Sequence, residues 1–255
     1  MELTGRSAIV TGAAGGLGAA TARHLAGLGV PVVALDTNAE GIEAVASEIG
    51  TGATPIAGSV LDDDAVHAAI AAARDLGVFS ILVNVAGGGI AARTLSRDGT
   101  PHDLDAFRRV VELNLVGSFN VARLAAAAMS ENEPDDSGER GVIVHTSSIA
   151  AFDGQIGQVA YAAAKGGLVG LTLPMARDLA AVGIRVLTIA PGTMGTPIMM
   201  VAPERIREGL VAQVPHPRRL GKPEEFAMLV EHFARNAYLN GTTVRLDGAV
   251  RFPPK

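Results

Sequence analysis

Apolar residues in this chain gather into short continuous runs rather than alternating with polar ones. The runs are AIVT from Ala8, VPVVALD from Val30, SILVNVAG from Ser80, GVIVHTSS from Gly141, GIRVLTIAP from Gly183 and TTVRLDG from Thr242. A weaker run, TPIAGS from Thr54, brings the number to seven. Continuous β-branched runs belong to strands covered on both faces, as in a parallel sheet with helices on either side. The stretches between them are rich in alanine and carry helical spacing, as at Leu113, Val116, Val121 and Leu124.

Strand and helix therefore alternate, which predicts right-handed crossovers and a doubly wound α/β sheet of seven parallel strands. In such a sheet the ligand crevice lies beyond the carboxyl ends of the strands, so functional residues are expected just after each run. No repeat, low-complexity linker or charge block divides the sequence. The one long polar stretch, SENEPDDSGER from Ser130, reads as an exposed connection before the fifth strand. A single domain over residues 1–255 is the expectation.

Composition narrows the partners. With 255 residues, 48% of them hydrophobic, the chain can bury a large core. A net charge of −5 offers no basic footprint for nucleic acid or an anionic membrane, so a small molecule is the expected partner. The longest uncharged run, Val186 to Pro203, is broken by prolines and glycines and does not read as a membrane span. There is no cysteine, and the six histidines never lie close enough in sequence to form a local metal pair, so no metal is expected. The N-terminus enters a strand at once, with neither a basic leader nor an arginine-rich presequence, which points to a cytoplasmic protein.

Two constellations carry chemistry. The first is TGAAGGLG, Thr11 to Gly18, directly after the first strand and opening a helix. Gly12, Gly15, Gly16 and Gly18, with Leu17, suit a tight turn whose amides approach a pyrophosphate at a helix N-terminus. Asp36 ends the second strand about twenty residues on, placed to accept hydrogen bonds from ribose hydroxyls and to repel a 2′-phosphate. That combination predicts a Rossmann-type dinucleotide site for NAD rather than NADP, since no arginine or lysine adjoins either element.

The second constellation is SIAAFDGQIGQVAYAAAK, Ser148 to Lys165. If a helix starts near Gln158, Tyr161 and Lys165 stand one turn apart on one face. A phenol titrates too high to act as a base at neutral pH, but an ammonium ion and a cationic nicotinamide beside it would lower its pKa. Ser148, at the end of the fifth strand, is placed to hold a substrate oxygen, with Ser147 as the competing candidate. Asn114, in the helix after the fourth strand, is a candidate to hold a water that passes protons from Lys165. Singly each has a plain structural reading; jointly they point to acid–base chemistry on an alcohol.

With NVAG at Asn84 to Gly87, YAAAK, and PGTMGT at Pro191 to Thr196, these motifs resemble the short-chain dehydrogenase/reductase family over nearly the whole chain. The resemblance implies Tyr161 as acid/base, Lys165 on the nicotinamide ribose, Ser148 on the substrate and Asn114 in a water relay. It also extends the cofactor set to Ser59, Val60, Asn84, Ala86, Gly87, Pro191, Gly192, Met194 and Thr196, and implies a homotetramer. Stretches outside the motifs, such as GLVGLTLPMARDLAAVGIRVLTIAPG, are similar to the family's 3-hydroxyacyl-CoA and hydroxysteroid dehydrogenase branch. This implies conversion of (S)-3-hydroxyacyl-CoA to 3-oxoacyl-CoA, with a thioester or carbonyl reductase and a silent dinucleotide-binding scaffold as alternatives.

One departure stands out. Ser59 occupies the position where the family places an aspartate against the adenine amino group, and a hydroxyl is the poorer acceptor unless Asp62 or Asp63 substitutes. At the substrate end, the proline-bounded segment 194–217 is expected to form a lid, its methionines adapting to an apolar substrate. Gln155 is the expected polar contact to substrate. Arg93 and Arg97 lie in the loop after the fourth strand and read as solvated.

Overall fold

The computed structural model describes residues 1–254. Among them, seven strands form one parallel sheet: β1 (Arg6–Thr11), β2 (Val32–Asp36), β3 (Ala53–Ala57), β4 (Val78–Asn84), β5 (Gly141–Thr146), β6 (Ile184–Pro191) and β7 (Thr243–Leu246). Their order across the sheet is β3-β2-β1-β4-β5-β6-β7. The chain winds one way from β1 to β3 and the other way from β4 onward, so the crevice opens where β1 and β4 part at their carboxyl ends.

The runs forming β1, β2, β4, β5 and β6 are buried on both faces, as their pattern required, whereas the edge strands β3 and β7 are only partly buried. One face packs Ala8, Val10, Val32 and Val144 against α1 (Gly16–Gly27), α2 (Ala39–Ile49) and, through Phe226, Val230 and Phe233, α9 (Pro223–Arg235). The other packs Ile9, Leu35, Leu82 and Ile143 against α3 (Asp63–Leu76), α5 (Gly117–Ser130) and α6 (Val159–Leu179). A fully buried Val, Leu, Ile or Phe is worth about 1.5–3 kcal/mol relative to exposure, so these two layers supply most of the drive to fold.

The remaining elements flank the crevice. Helix α4 (Leu104–Val111) runs into a π-helical stretch, Glu112–Val116, before α5 begins. The widened turn shifts the helical face, and Val116, which simple helical spacing would place inside, is 48% exposed. Two short helices, α7 (Pro197–Met200) and α8 (Glu204–Ala212), fill the segment after β6 and bury none of their residues. Two continuous helical stretches, Leu104–Ser130 and Val159–Val182, are long and apolar enough to cross a membrane; in this fold each lays one side against the sheet.

Candidate active site

The glycine turn is fixed from β4. Thr11 Oγ1 accepts hydrogen bonds from Val85 N (3.0 Å) and Ala86 N (3.1 Å), tying the ends of β1 and β4 together. The backbones approach so closely that a Cβ on Gly12, whose φ is +66°, would sit 2.7 Å from Ala86 N. Gly15 caps α1 without any side-chain hydrogen bond, so the first amides of that helix keep their capacity for an anion. Gly18 works differently from its neighbours: it lies against the Gly12 carbonyl, a helix-packing contact, and does not line the crevice.

The crevice itself measures 580 Å³ and is bordered by Gly12, Gly16, Asp36, Ser59, Val60 and Tyr161, among others. Asp36 is held by two backbone amides, its Oδ2 accepting from Ala14 N (3.1 Å) and its Oδ1 from Asn38 N (3.0 Å). Those bonds aim the carboxylate and leave lone pairs for further donors. Val60 is pinned through its carbonyl, which accepts from Asn120 Nδ2 at 3.0 Å. The Ser59 hydroxyl accepts from Leu61 N (3.1 Å). Neither acid following it compensates: Asp62 caps α3, and Asp63 pairs with Arg123 at 2.7 Å.

At the other end, α6 starts at Val159 with Gln158 as its cap, and Tyr161 and Lys165 share a face. The Lys165 ammonium lies 5.6 Å from the Tyr161 ring centroid and donates to the Thr146 carbonyl at 2.8 Å. Ser148 follows β5 in extended conformation, its hydroxyl accepting from Ala150 N (3.1 Å) and reaching the Tyr161 phenol. Ser147 is the serine committed elsewhere: its hydroxyl donates to the Lys165 carbonyl at 2.8 Å. Asn114, on the π stretch, clamps Gly88, donating to its carbonyl (2.7 Å) and accepting from its amide (3.2 Å). Only Gly fits at 87, where a Cβ would lie 2.5 Å from Asn114 Oδ1 and 3.2 Å from Lys165 Nζ.

Burial governs the protonation of this group. It pulls Lys165 down to about 8, and it pushes the Tyr161 phenol up, with the Ser148 hydrogen bond pulling the other way. The lowering of the phenol expected from Lys165 does not emerge in the chain by itself, where burial raises the phenol and the Ser148 hydrogen bond is the opposing influence. Positive charge from elsewhere is needed to complete the effect.

Two residues expected at the site hold other partners. Asn84 is buried below the crevice floor, donating to the Ser118 carbonyl at 3.1 Å, and does not border the crevice. Its register partner His145, which sequence reading passed over, is fully buried and held neutral, its pKa pulled down to about 4 by desolvation and then by Lys165. Gln155 lines the substrate end, but its amide donates to the Pro253 carbonyl at 3.2 Å and is committed to the chain's own tail.

That substrate end is a cleft of 650 Å³ containing Ser148, Tyr161 and Lys165 with Pro191, Gly192 and Met194. It meets the crevice at Leu17, Val85, Gly87, Tyr161 and Thr196, which border both, so the two form one continuous channel. Ile198, Met199 and Leu210 from the 194–217 segment overhang it. Arg93 borders a separate groove of 410 Å³ beside Gln155.

Comparison with known proteins agrees with this geometry. The family model for short chain dehydrogenase matches residues 6–206. The 3-hydroxyacyl-CoA dehydrogenase type-2 of Homo sapiens is 48% identical over 255 residues, covering 99% of this chain and 98% of that protein. The crystal structure of 3-hydroxyacyl-CoA dehydrogenase type-2 from Mycobacterium avium superposes with a TM-score of 0.95 at 50% identity, over 98% of both chains. A 3-ketoacyl-(acyl-carrier-protein) reductase from Brucella melitensis, solved in complex with NADH, superposes at 0.86 with 29% identity, over 98% of this chain and 100% of that one. A match of this extent, joined to a glycine turn and a serine, tyrosine and lysine in one channel, makes the chain a member of the short chain dehydrogenase family.

Proposed function

We propose that this chain is an NAD-dependent dehydrogenase that interconverts a secondary alcohol and a ketone, with (S)-3-hydroxyacyl-CoA and 3-oxoacyl-CoA as the pair. The observation that carries the reading is the single channel joining the glycine turn to Ser148, Tyr161 and Lys165. The near-half identity to 3-hydroxyacyl-CoA dehydrogenases over the full chain supports the substrate class.

The residues fit NAD. Gly12 and Gly16 both take positive φ and keep the turn free of side chains, the amides of α1 are uncapped, and Asp36 has acceptor capacity for two ribose hydroxyls. Its negative charge would lie against the 2′-phosphate of NADP, with no cationic side chain bordering the crevice to offset it. When bound, NAD supplies a hydride acceptor and a positive charge on its ring.

The chain's own groups do the rest. Tyr161 takes the hydroxyl proton, as phenolate, once positive charge offsets its burial. Ser148 holds the substrate oxygen beside it. Lys165, anchored on Thr146, keeps an ammonium ion near the phenol, and Asn114 fixes the loop around Gly87 and Gly88 through which the two ends of the channel meet. The 194–217 segment acts as the lid, supported by the exposure of Ile198 (81%) and Val201 (83%), which only a bound apolar group or a partner would cover.

A homotetramer belongs to the same reading, supported by the exposed apolar side chains Val116, Phe119 and Leu173 on the outer helices, and light scattering tests it. A cytoplasmic location is proposed on the resemblance to bacterial relatives and is tested by cell fractionation. The activity is tested by NADH absorbance with a panel of short and long 3-hydroxyacyl-CoAs, simple hydroxy acids and hydroxysteroids. Highest kcat/KM on the CoA thioesters with NAD is the expected result; turnover confined to other alcohols, or to NADP, would overturn it.

A further inference from the structure

The final stretch of the chain folds back across the loop that precedes Tyr161. Arg245, on β7, joins the two: its guanidinium donates to Asp153 Oδ2 (2.5 Å) on the loop, and to Asp247 Oδ2 (2.7 Å) and the Val250 carbonyl (2.9 Å) on the tail. It also lies over the Phe152 ring, 5.1 Å from the centroid. Farther along, Ile156 N donates to the Pro254 carbonyl at 3.0 Å, beside the Gln155 bond to Pro253.

This latch bends the tail sharply. Ala249 takes φ +68°, alone among the described non-glycine residues in the left-handed region, a conformation that crowds its Cβ. Asp247 Oδ1 accepts from its amide at 2.9 Å and holds it there. The bend drives Val250 into a fully buried site against Ile149 and Val214, and packs Phe252 on that cluster with its side chain on the wall of the 650 Å³ cleft. The catalytic loop supplies Ile149 directly after Ser148, so the same small core sets both the serine and the wall opposite the lid.

We propose that Phe252 is a specificity-determining residue, the side chain that limits the bulk of the apolar group flanking the reacting carbon, and that the Arg245–Asp153 pair positions it. The inference rests on the alcohol–ketone reading above and deepens it. Arg245 ties the tail to the loop through Asp153, Asp247 and the Val250 carbonyl, and Phe252 packs on the buried Val250 cluster, so it offers a supported wall in contrast to the pliable methionines of the lid.

The experiment measures kcat/KM for a straight short-chain and a branched 3-hydroxyacyl-CoA in the wild type, Phe252→Ala, Phe252→Trp and Asp153→Asn. Phe252→Ala should raise the branched-to-straight ratio by about tenfold or more, the scale on which a pocket discriminates a few methylene groups. Phe252→Trp should move it in the opposite direction, which mere loosening of the tail would not do. Asp153→Asn should shift it the same way as Phe252→Ala by a smaller factor, with the melting temperature recorded for each variant. Unchanged ratios in both Phe252 variants, with turnover retained, would overturn the proposal while leaving the reaction class standing. Should the wild type oxidise only cyclic or other non-CoA alcohols, the substrate reading fails, and the bulky-to-slim ratio across those alcohols decides on Phe252 by the same two variants.

Discussion

The two ends of the channel are built from different material. At the dinucleotide end the walls are strand termini and backbone: Thr11 bonds the amides after β4, Gly12 admits Ala86 within reach of no side chain, and Asp36 is aimed by two amides. At the substrate end the walls include side chains on α7, α8 and the tail, with Ile198, Met199, Leu210 and Phe252 bordering the cleft and Ile198 81% exposed. Tyr161 is where the ends meet, bordering both. Backbone geometry tolerates few residue types, whereas a wall of side chains can be retuned residue by residue.

Substitutions can break or sharpen that contrast. The largest effect is expected at the junction: Tyr161→Phe should lower kcat by about 10³-fold or more, in the upper range for general acid–base groups, while NADH affinity by fluorescence titration stays within about twofold. A parallel loss of NADH binding would mean that the tyrosine serves the dinucleotide end instead.

Beneath the junction lies His145. Its folded pKa of about 4 is below the ordinary 6.5, so as pH falls the unfolded chain takes up the proton first. The contribution is complete above pH 6.5 and is lost between pH 6.5 and 4, amounting to about 3 kcal/mol. His145→Asn should therefore show a shallower fall in denaturant stability over that window; an unchanged slope would place the acid sensitivity elsewhere.

Smaller effects belong to the dinucleotide end. Asp36→Ala should cut the ratio of kcat/KM for NAD over NADP by about 10–100-fold, the range for losing one charged hydrogen-bonding partner and its repulsion. Ser59→Asp should tighten NAD binding by a few fold, about 1 kcal/mol at most, because Asp62 and Asp63 are engaged elsewhere and supply no carboxylate at the adenine edge. Equal dissociation constants would show that adenine needs no acceptor at that position.

The same contrast separates what the sequence pattern encodes from what only the folded chain brings together. The inner strands are legible because burial on both faces leaves no alternation, the partly buried edge strands β3 and β7 carry the same apolar runs more weakly, and the Tyr161–Lys165 face follows from helical period alone. Asn84 and Gly18 sit inside motifs whose neighbours line the crevice, whereas the Asn84 amide bonds the Ser118 carbonyl and Gly18 packs on the Gly12 carbonyl, a distinction that motif position does not carry. Val116 was placed inside because the pattern assumed an unbroken α-helix, and the π stretch at Glu112–Val116 turns it outward. The Phe252 wall was invisible, since its support comes from contacts between residues 90 or more positions apart, such as Arg245 with Asp153 and Gln155 with Pro253.

In the proposed reaction the Tyr161 phenol is the group that exchanges a proton with the substrate oxygen. A crystal structure of the chain with NAD and a slowly reacting 3-hydroxyacyl-CoA analogue tests it most directly. The alcohol oxygen is expected within hydrogen-bond distance of both the Tyr161 phenol and the Ser148 hydroxyl. An alcohol oxygen bonded to another side chain, with the phenol turned away, would contradict it.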